Sequence, residues 1–128
     1  MRKRELSLLV IVLGLASVRA EAQEAVNIAD IRCVVVGMKL SGMVNSPEQS
    51  RGILLTWYFL GRLDGRVPQL DIESLLIKEG GKMTSADYAA EANRCGTSLA
   101  EMGQKITQIG NDLIERGKKT TVQPTPAN

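Results

Sequence analysis

The residues best equipped for covalent chemistry are two cysteines, Cys33 and Cys95. They lie too far apart for a Cys-x-x-Cys redox motif. In an oxidising compartment an even count predicts one structural disulfide. Closing so long a loop stabilises a fold by roughly 4 kcal/mol in the chain-entropy model. The next cluster is Arg62-Leu63-Asp64-Gly65-Arg66. Two arginines and a carboxylate could grip an anionic group, or Asp-Gly is a helix exit and the arginines a solvated rim. Turn chemistry favours the second reading. Ser46 has no base to activate it and fits better as a helix cap. The chain contains no histidine, which excludes Ser-His-Asp and Cys-His catalysis and every His-ligated metal site. Glu73 with Glu79, and Asp87 with Glu91, are pairs that helix surfaces ordinarily carry. Glu91 with Arg94 and Asp112 with Arg116 read as surface ion pairs. Met38, Met43, Met83 and Met102 could line an adaptable face, though core filling is the commoner use. No catalytic residue, metal set or cofactor is assigned, and the chain reads as non-enzymatic.

The N-terminus reads as a secretory signal. Arg2, Lys3 and Arg4 precede an apolar run, Leu6 to Leu15, and Val18-Arg19-Ala20 and Ala20-Glu21-Ala22 fit the small-x-small cleavage rule. The run is shorter than the about 20 residues of a membrane anchor. No cysteine follows it for lipidation. Cleavage after residue 20 or 22 leaves roughly 106–108 residues, one ordinary domain. The whole of the formal +2 charge leaves with the signal, which carries Arg2, Lys3, Arg4 and Arg19 against Glu5, or Glu5 and Glu21. The near-neutral remainder has no electrostatic basis for nucleic acid. The expected address is periplasmic or secreted, with no stable membrane span after cleavage.

The fold class expected is all-α: a small four-helix, disulfide-stapled domain over 26–117 with a long C-terminal helix. Helix 1 spans about Ile28 to Met43. Its face is Val26, Ala29, Cys33, Val36, Leu40 and Met43, widened by Ile31, Val34, Val35 and Met38, with Arg32 and Lys39 as a wet stripe. Ser46-Pro47-Glu48-Gln49 starts helix 2 with a capping-box spacing. Ile53, Leu54, Trp57, Leu60 and Gly61 form its core side, Gly65 a left-handed end, and Pro68 a stop. Asp71 caps a short helix 3, with Ile72, Leu75 and Leu76 buried and Gly80-Gly81 ending it.

Helix 4 begins near Thr84, with Asp87 three residues on, and ends near Arg116. Tyr88, Ala92, Cys95, Leu99, Met102, Ile106, Ile109 and Leu113 alternate by four and three, a coiled-coil-like seam. Cys33 and Cys95 both sit on seams, so a bridge would tie helix 1 to helix 4. Gly96, Gly103, Gly110 and Gly117 repeat every seven residues beside the seam. Each interior glycine costs about 1 kcal/mol, which implies a compensating close approach. Packing within the fold is the simplest source. A partner groove or a homodimer interface is the sharper one, and easy unravelling a third. Residues 118–128 lack apolar periodicity and read as a disordered tail.

The signal, the small helical domain and two far-spaced cysteines joining an early helix to a late one resemble the HdeA-type periplasmic acid-stress chaperones and the related Tai-type immunity proteins. Gly61-Arg62-Leu63-Asp64, after Tyr58-Phe59-Leu60, is similar to the Gly-x-x-Asp of the immunity families. The glycine repeat, the long last helix and the lack of lysine-rich ends depart from both. The resemblance implies an exported protein that binds other proteins: a stress chaperone, or an immunity or inhibitor protein holding one partner. A small structural envelope protein is the third reading. The candidate partner-binding residues are Arg62, Asp64, Arg66, Gly96, Gly103 and Gly110.

Overall fold

A computed structural model describes the backbone of residues 2–121 and the side chains of residues 18–119. It contains four helices and, among the described residues, no strand. They are α1 (Arg2–Ser41), α2 (Pro47–Arg66), α3 (Ile72–Gly80) and α4 (Ser85–Thr121). The helix starting before residue 28 is longer than the apolar stripe implied. Its backbone continues upstream through the residues around the expected cleavage sites. Among the described residues no helix is long and apolar enough to cross a membrane. At the other end, α4 passes Gly117 and includes residues 118–121. The rest of the expected tail, and the side chains of the signal's apolar run, lie outside the described residues.

Local chemistry sets most helix starts. Ser46 accepts a hydrogen bond from Glu48 N, and Pro47 occupies the first turn. The capping box is incomplete, because Ser46 N donates to Met43 O in the turn leaving α1. That turn holds Asn45 at φ 62°, a left-handed conformation asparagine tolerates. Asp71 accepts from both Ser74 N and Ser74 Oγ at the head of α3. Thr84 and Asp87 form a reciprocal pair ahead of α4, Asp87 N donating to Thr84 Oγ1 and Thr84 N to Asp87 Oδ2. Gly65 does not end α2. Among the described residues no glycine has positive φ, and the helix continues to Arg66.

The core is where α1 meets α2. Ile31, Val34 and Val36 from α1 pack with Leu55, Phe59 and Leu63 from α2 and with the cystine. Leu70, Ile72, Leu75, Leu76 and Met83 cover it from the α3 side. The two helices touch backbone to backbone at a glycine pair. A Cβ on Gly37 would lie 2.8 Å from Thr56 N, and one on Gly52 would lie 2.6 Å from Gly37 O. Both distances are too short for a real Cβ, so only glycine permits this crossing.

That crossing overturns the face expected for α2. Gly52, Leu55, Phe59 and Leu63 point inward. Ile53, Leu54 and Trp57 face solvent, Trp57 at 74% exposure. Apolar residues stand on both sides of this helix, so hydrophobicity alone did not choose between them. The glycine contact did. Met38 and Met43 are also exposed, whereas Met83 and Met102 are half-buried.

The Cys33–Cys95 disulfide joins α1 to α4, with Cα atoms 5.6 Å apart and both cysteines fully buried. Beyond Met102 the side of α4 is exposed, apart from the half-buried Gly110.

Candidate functional site

Two polar nodes hold the helices in register. The first centres on Asp30, 2% exposed on the inner face of α1. Arg62 Nε lies 3.2 Å from Asp30 Oδ2, and Arg66 Nη2 donates to the same oxygen. Arg66 Nε also donates to Asn27 Oδ1 at 3.3 Å. Arg62 Nη1 reaches Ser98 Oγ in α4, and its guanidinium carbon sits 5.2 Å from the Phe59 ring centre. The arginines are therefore not a solvated rim. They turn inward because a buried carboxylate without a partner is costly. The same pull extends α2 through Gly65 to Arg66.

The second node is built on Glu79, also buried. Arg32 Nε lies 3.2 Å and Lys82 Nζ 2.9 Å from its carboxylate. Lys82 foremost, with Arg32 assisting, holds the Glu79 carboxyl below its ordinary range, against the opposing effect of burial. Glu79 is thus no ordinary helix-surface acid. Arg32 also faces Glu91 at 3.7 Å, and Glu91 pairs with Arg94 at 2.7 Å. The Arg94 guanidinium donates to Ala29 O and lies 3.0 Å from Cys33 Sγ. The run α3–Arg32–Glu91–Arg94 ends on the cystine. Among the described residues every buried side-chain nitrogen and oxygen has a hydrogen-bond partner.

Cys33, Glu91 and Cys95 place ligand-type atoms within 4.8 Å of one another. In the oxidised protein the two sulfurs are bonded to each other and a guanidinium lies against them. That leaves one carboxylate as a donor, which does not make a metal site.

The remaining sequence candidates do not converge. Asp64 is exposed on the side of α2 away from the core, and an added Cβ on its neighbour Gly61 would meet nothing within 4 Å. Gly96 is buried, and its missing side chain makes room for the Arg51 guanidinium, 2.8 Å from where a Cβ would stand. Gly103 and Gly110, like Gly117, have open space where a Cβ would be. Close packing within the chain therefore accounts for only the first glycine of the repeat, and there a side chain is the neighbour. The backbone approach anticipated from the repeat occurs instead at Gly37 and Gly52, which lie outside any repeat.

Among the described residues, exposed apolar side chains include two groups on helices. One is the outer side of α2, with Ile53, Leu54 and Trp57. The other is the projecting half of α4, with Ile106, Ile109, Leu113 and Ile114. Shallow grooves flank α1, one lined by Glu24, Ile28, Arg32 and Glu91, the other by Asn27, Ile28, Leu70 and Leu75. No protein-family model matches the chain, and neither curated proteins nor solved structures include a match.

Sequence reasoning missed Asp30, Asn27 and Glu79. A signal for Asp30 existed: one acid inside an otherwise apolar helical face must find a cation. Nothing local distinguished Glu79 from Glu73, because its burial depends on where α3 docks.

Proposed function

We propose that this is an exported, non-enzymatic protein that works by binding other proteins, with the outer side of α2 as its preformed contact. The supporting observation is the exposure of Trp57 at 74%, beside Leu54 at 59% and Ile53. Monomeric proteins rarely leave such residues in a contiguous solvent-facing group, and aromatic anchors dominate protein interfaces. Removal of the N-terminal signal and residence in the periplasm or outside the cell belong to the same reading, supported by the buried cystine. Affinity capture from the native envelope fraction tests it. One dominant protein retained at neutral pH by the wild type and lost with Trp57→Ala is expected. Equal retention by both would remove the α2 face from the reading.

A second reading is acid-triggered chaperoning, favoured by the carboxylates Asp30 and Glu79, which hold α2 and α3 onto α1. Glu79 has a lowered pKa in the fold, so its contribution is present above the unfolded-state value and is lost as pH falls through the folded value. Protonation of Glu79 releases Lys82 and Arg32, which loosens α3 from α1 and exposes core surface. Binding of an apolar dye that rises below about pH 4, together with many captured proteins in acid only, would favour this reading over a single neutral-pH partner.

A further inference from the structure

We infer that the projecting half of α4 pairs with the same segment of a second copy of this chain, antiparallel, about a twofold axis passing between Thr107 and Gln108. The seam Met102, Ile106, Ile109 and Leu113 continues the alternation that carries Cys95 and Leu99 inside the domain. Past Met102 this seam faces solvent, Ile106 at 62% exposure, with Ile109 and Leu113 also open. A helix repeating apolar residues at a and d positions over several turns meets another helix along that seam.

Charge selects the register. With the seam residues at a and d, the flanking g positions are Lys105 and Asp112, and the e positions are Gly103 and Gly110. In an antiparallel pair g faces g and e faces e. The stated axis stacks Ile106 on Ile109 of the second copy, and Met102 on Leu113, each layer occurring twice. It sets Lys105 opposite Asp112 of the second copy, again twice. It also sets Gly103 opposite Gly110 along the other edge. Sliding by one heptad places Lys105 against Lys105, or Asp112 against Asp112, with like charges opposed. A parallel pair would face Lys105 with Gly110 and form no ion pair. One register alone satisfies seam, charge and glycine edge together.

The arrangement also explains glycines that the single chain leaves unexplained. Open space surrounds the missing side chains of Gly103 and Gly110, so their helix-propensity cost is not offset within the domain. Opposed glycines let the two helices approach closely along one edge. The overlap is short. From Met102 to Leu113 it is about 18 Å of helix, near the lower limit of area for a specific interface. The expected dimer is weak, dissociating in roughly the micromolar to sub-millimolar range.

Sedimentation of the oxidised protein, expressed from its complete chain, up to roughly 500 µM, within that expected range, tests the inference. Wild type is expected to show a monomer–dimer equilibrium. Lys105→Asp and Asp112→Lys should each weaken it at least tenfold by opposing like charges. An equimolar mixture of the two variants should recover dimer, because each aspartate then faces a lysine. The double variant should dimerise like wild type. Gly110→Leu separates this from a folding effect: it should raise helix stability at low concentration while weakening the dimer. Wild type monomeric throughout the range, a mixture that fails to recover dimer, or Gly110→Leu strengthening association would each overturn the inference.

Discussion

The domain body and the projecting half of α4 both contain glycines within helices, and the comparison is instructive. In the body, Gly37 and Gly52 stand where two backbones touch, and any side chain would collide with main-chain atoms. In the projection, Gly103 and Gly110 stand in open space. The body also concentrates the cystine, the buried carboxylates and the largest core side chains. The projection has helical hydrogen bonds and an uncovered apolar seam. Identical residue types therefore differ in energetic meaning according to what lies opposite them. The body resists substitution and the projection tolerates it.

The contrast can be broken most severely at the cystine. Reduction, or Cys33→Ser with Cys95→Ser, frees a loop of sequence separation 62 and should cost about 4 kcal/mol in denaturant unfolding. A cost under about 1 kcal/mol would mean that the packed α1–α2 pair alone defines the body. Next is Gly52→Ala, whose methyl group meets Ser41, Leu40 and Gly37 backbone atoms that cannot swing aside. A loss of about 3 kcal/mol is expected. Unchanged stability would show that the two helices can part without penalty.

Asp30→Asn keeps the size of the side chain but removes the charge facing Arg62 and Arg66. Those guanidinium groups are partly exposed and can turn to water, so the loss should be about 2 kcal/mol rather than that of a wholly buried pair. Glu79→Gln sharpens the comparison through pH. The Glu79 pKa is lowered in the fold, chiefly by Lys82. Its ionisation therefore stabilises the protein above the unfolded-state value of about 4.3, and that stabilisation disappears as pH falls through the folded value. The stability gap between wild type and Glu79→Gln should be full at pH 6 and close towards pH 2. A gap independent of pH would assign the contribution of Glu79 to packing.

The smallest effect has the opposite sign. Gly110→Ala meets nothing and should stabilise α4 by about 1 kcal/mol at concentrations where the chain is monomeric. Thermal unfolding followed by helix ellipticity reads the difference. Destabilisation would mean that the projecting helix packs on the body in solution.

Features encoded within a turn or two of helix were legible in advance. The caps at Ser46, Asp71 and Thr84–Asp87 lie within three residues of the backbone groups they serve, so sequence spacing specifies them. The four helices and the seam of α4 follow from periodicity in the same way. The orientation of α2 was misread because Ile53, Leu54 and Trp57 make as good a stripe as Leu55, Phe59 and Leu63. The partners of Arg62 and Arg66 were missed because Asp30 lies 32 and 36 positions away. Of the four glycines repeated along the last helix, only Gly96 has a close neighbour from another element where a side chain would stand.

By itself the sequence determined an all-helical fold, the starts of α2, α3 and α4, the cysteines able to bridge the first helix to the last, and the heptad pattern of α4. These depend on short-range hydrogen bonding and on the period of the helix, which any local segment carries. Tertiary structure alone decided which side of α2 is buried, that Asp30 and Glu79 become the centres of ion-pair nodes, and that the seam of α4 runs out past the body uncovered. Those outcomes depend on two backbones meeting at Gly37 and Gly52. Such a contact joins distant residues and is written in neither segment alone.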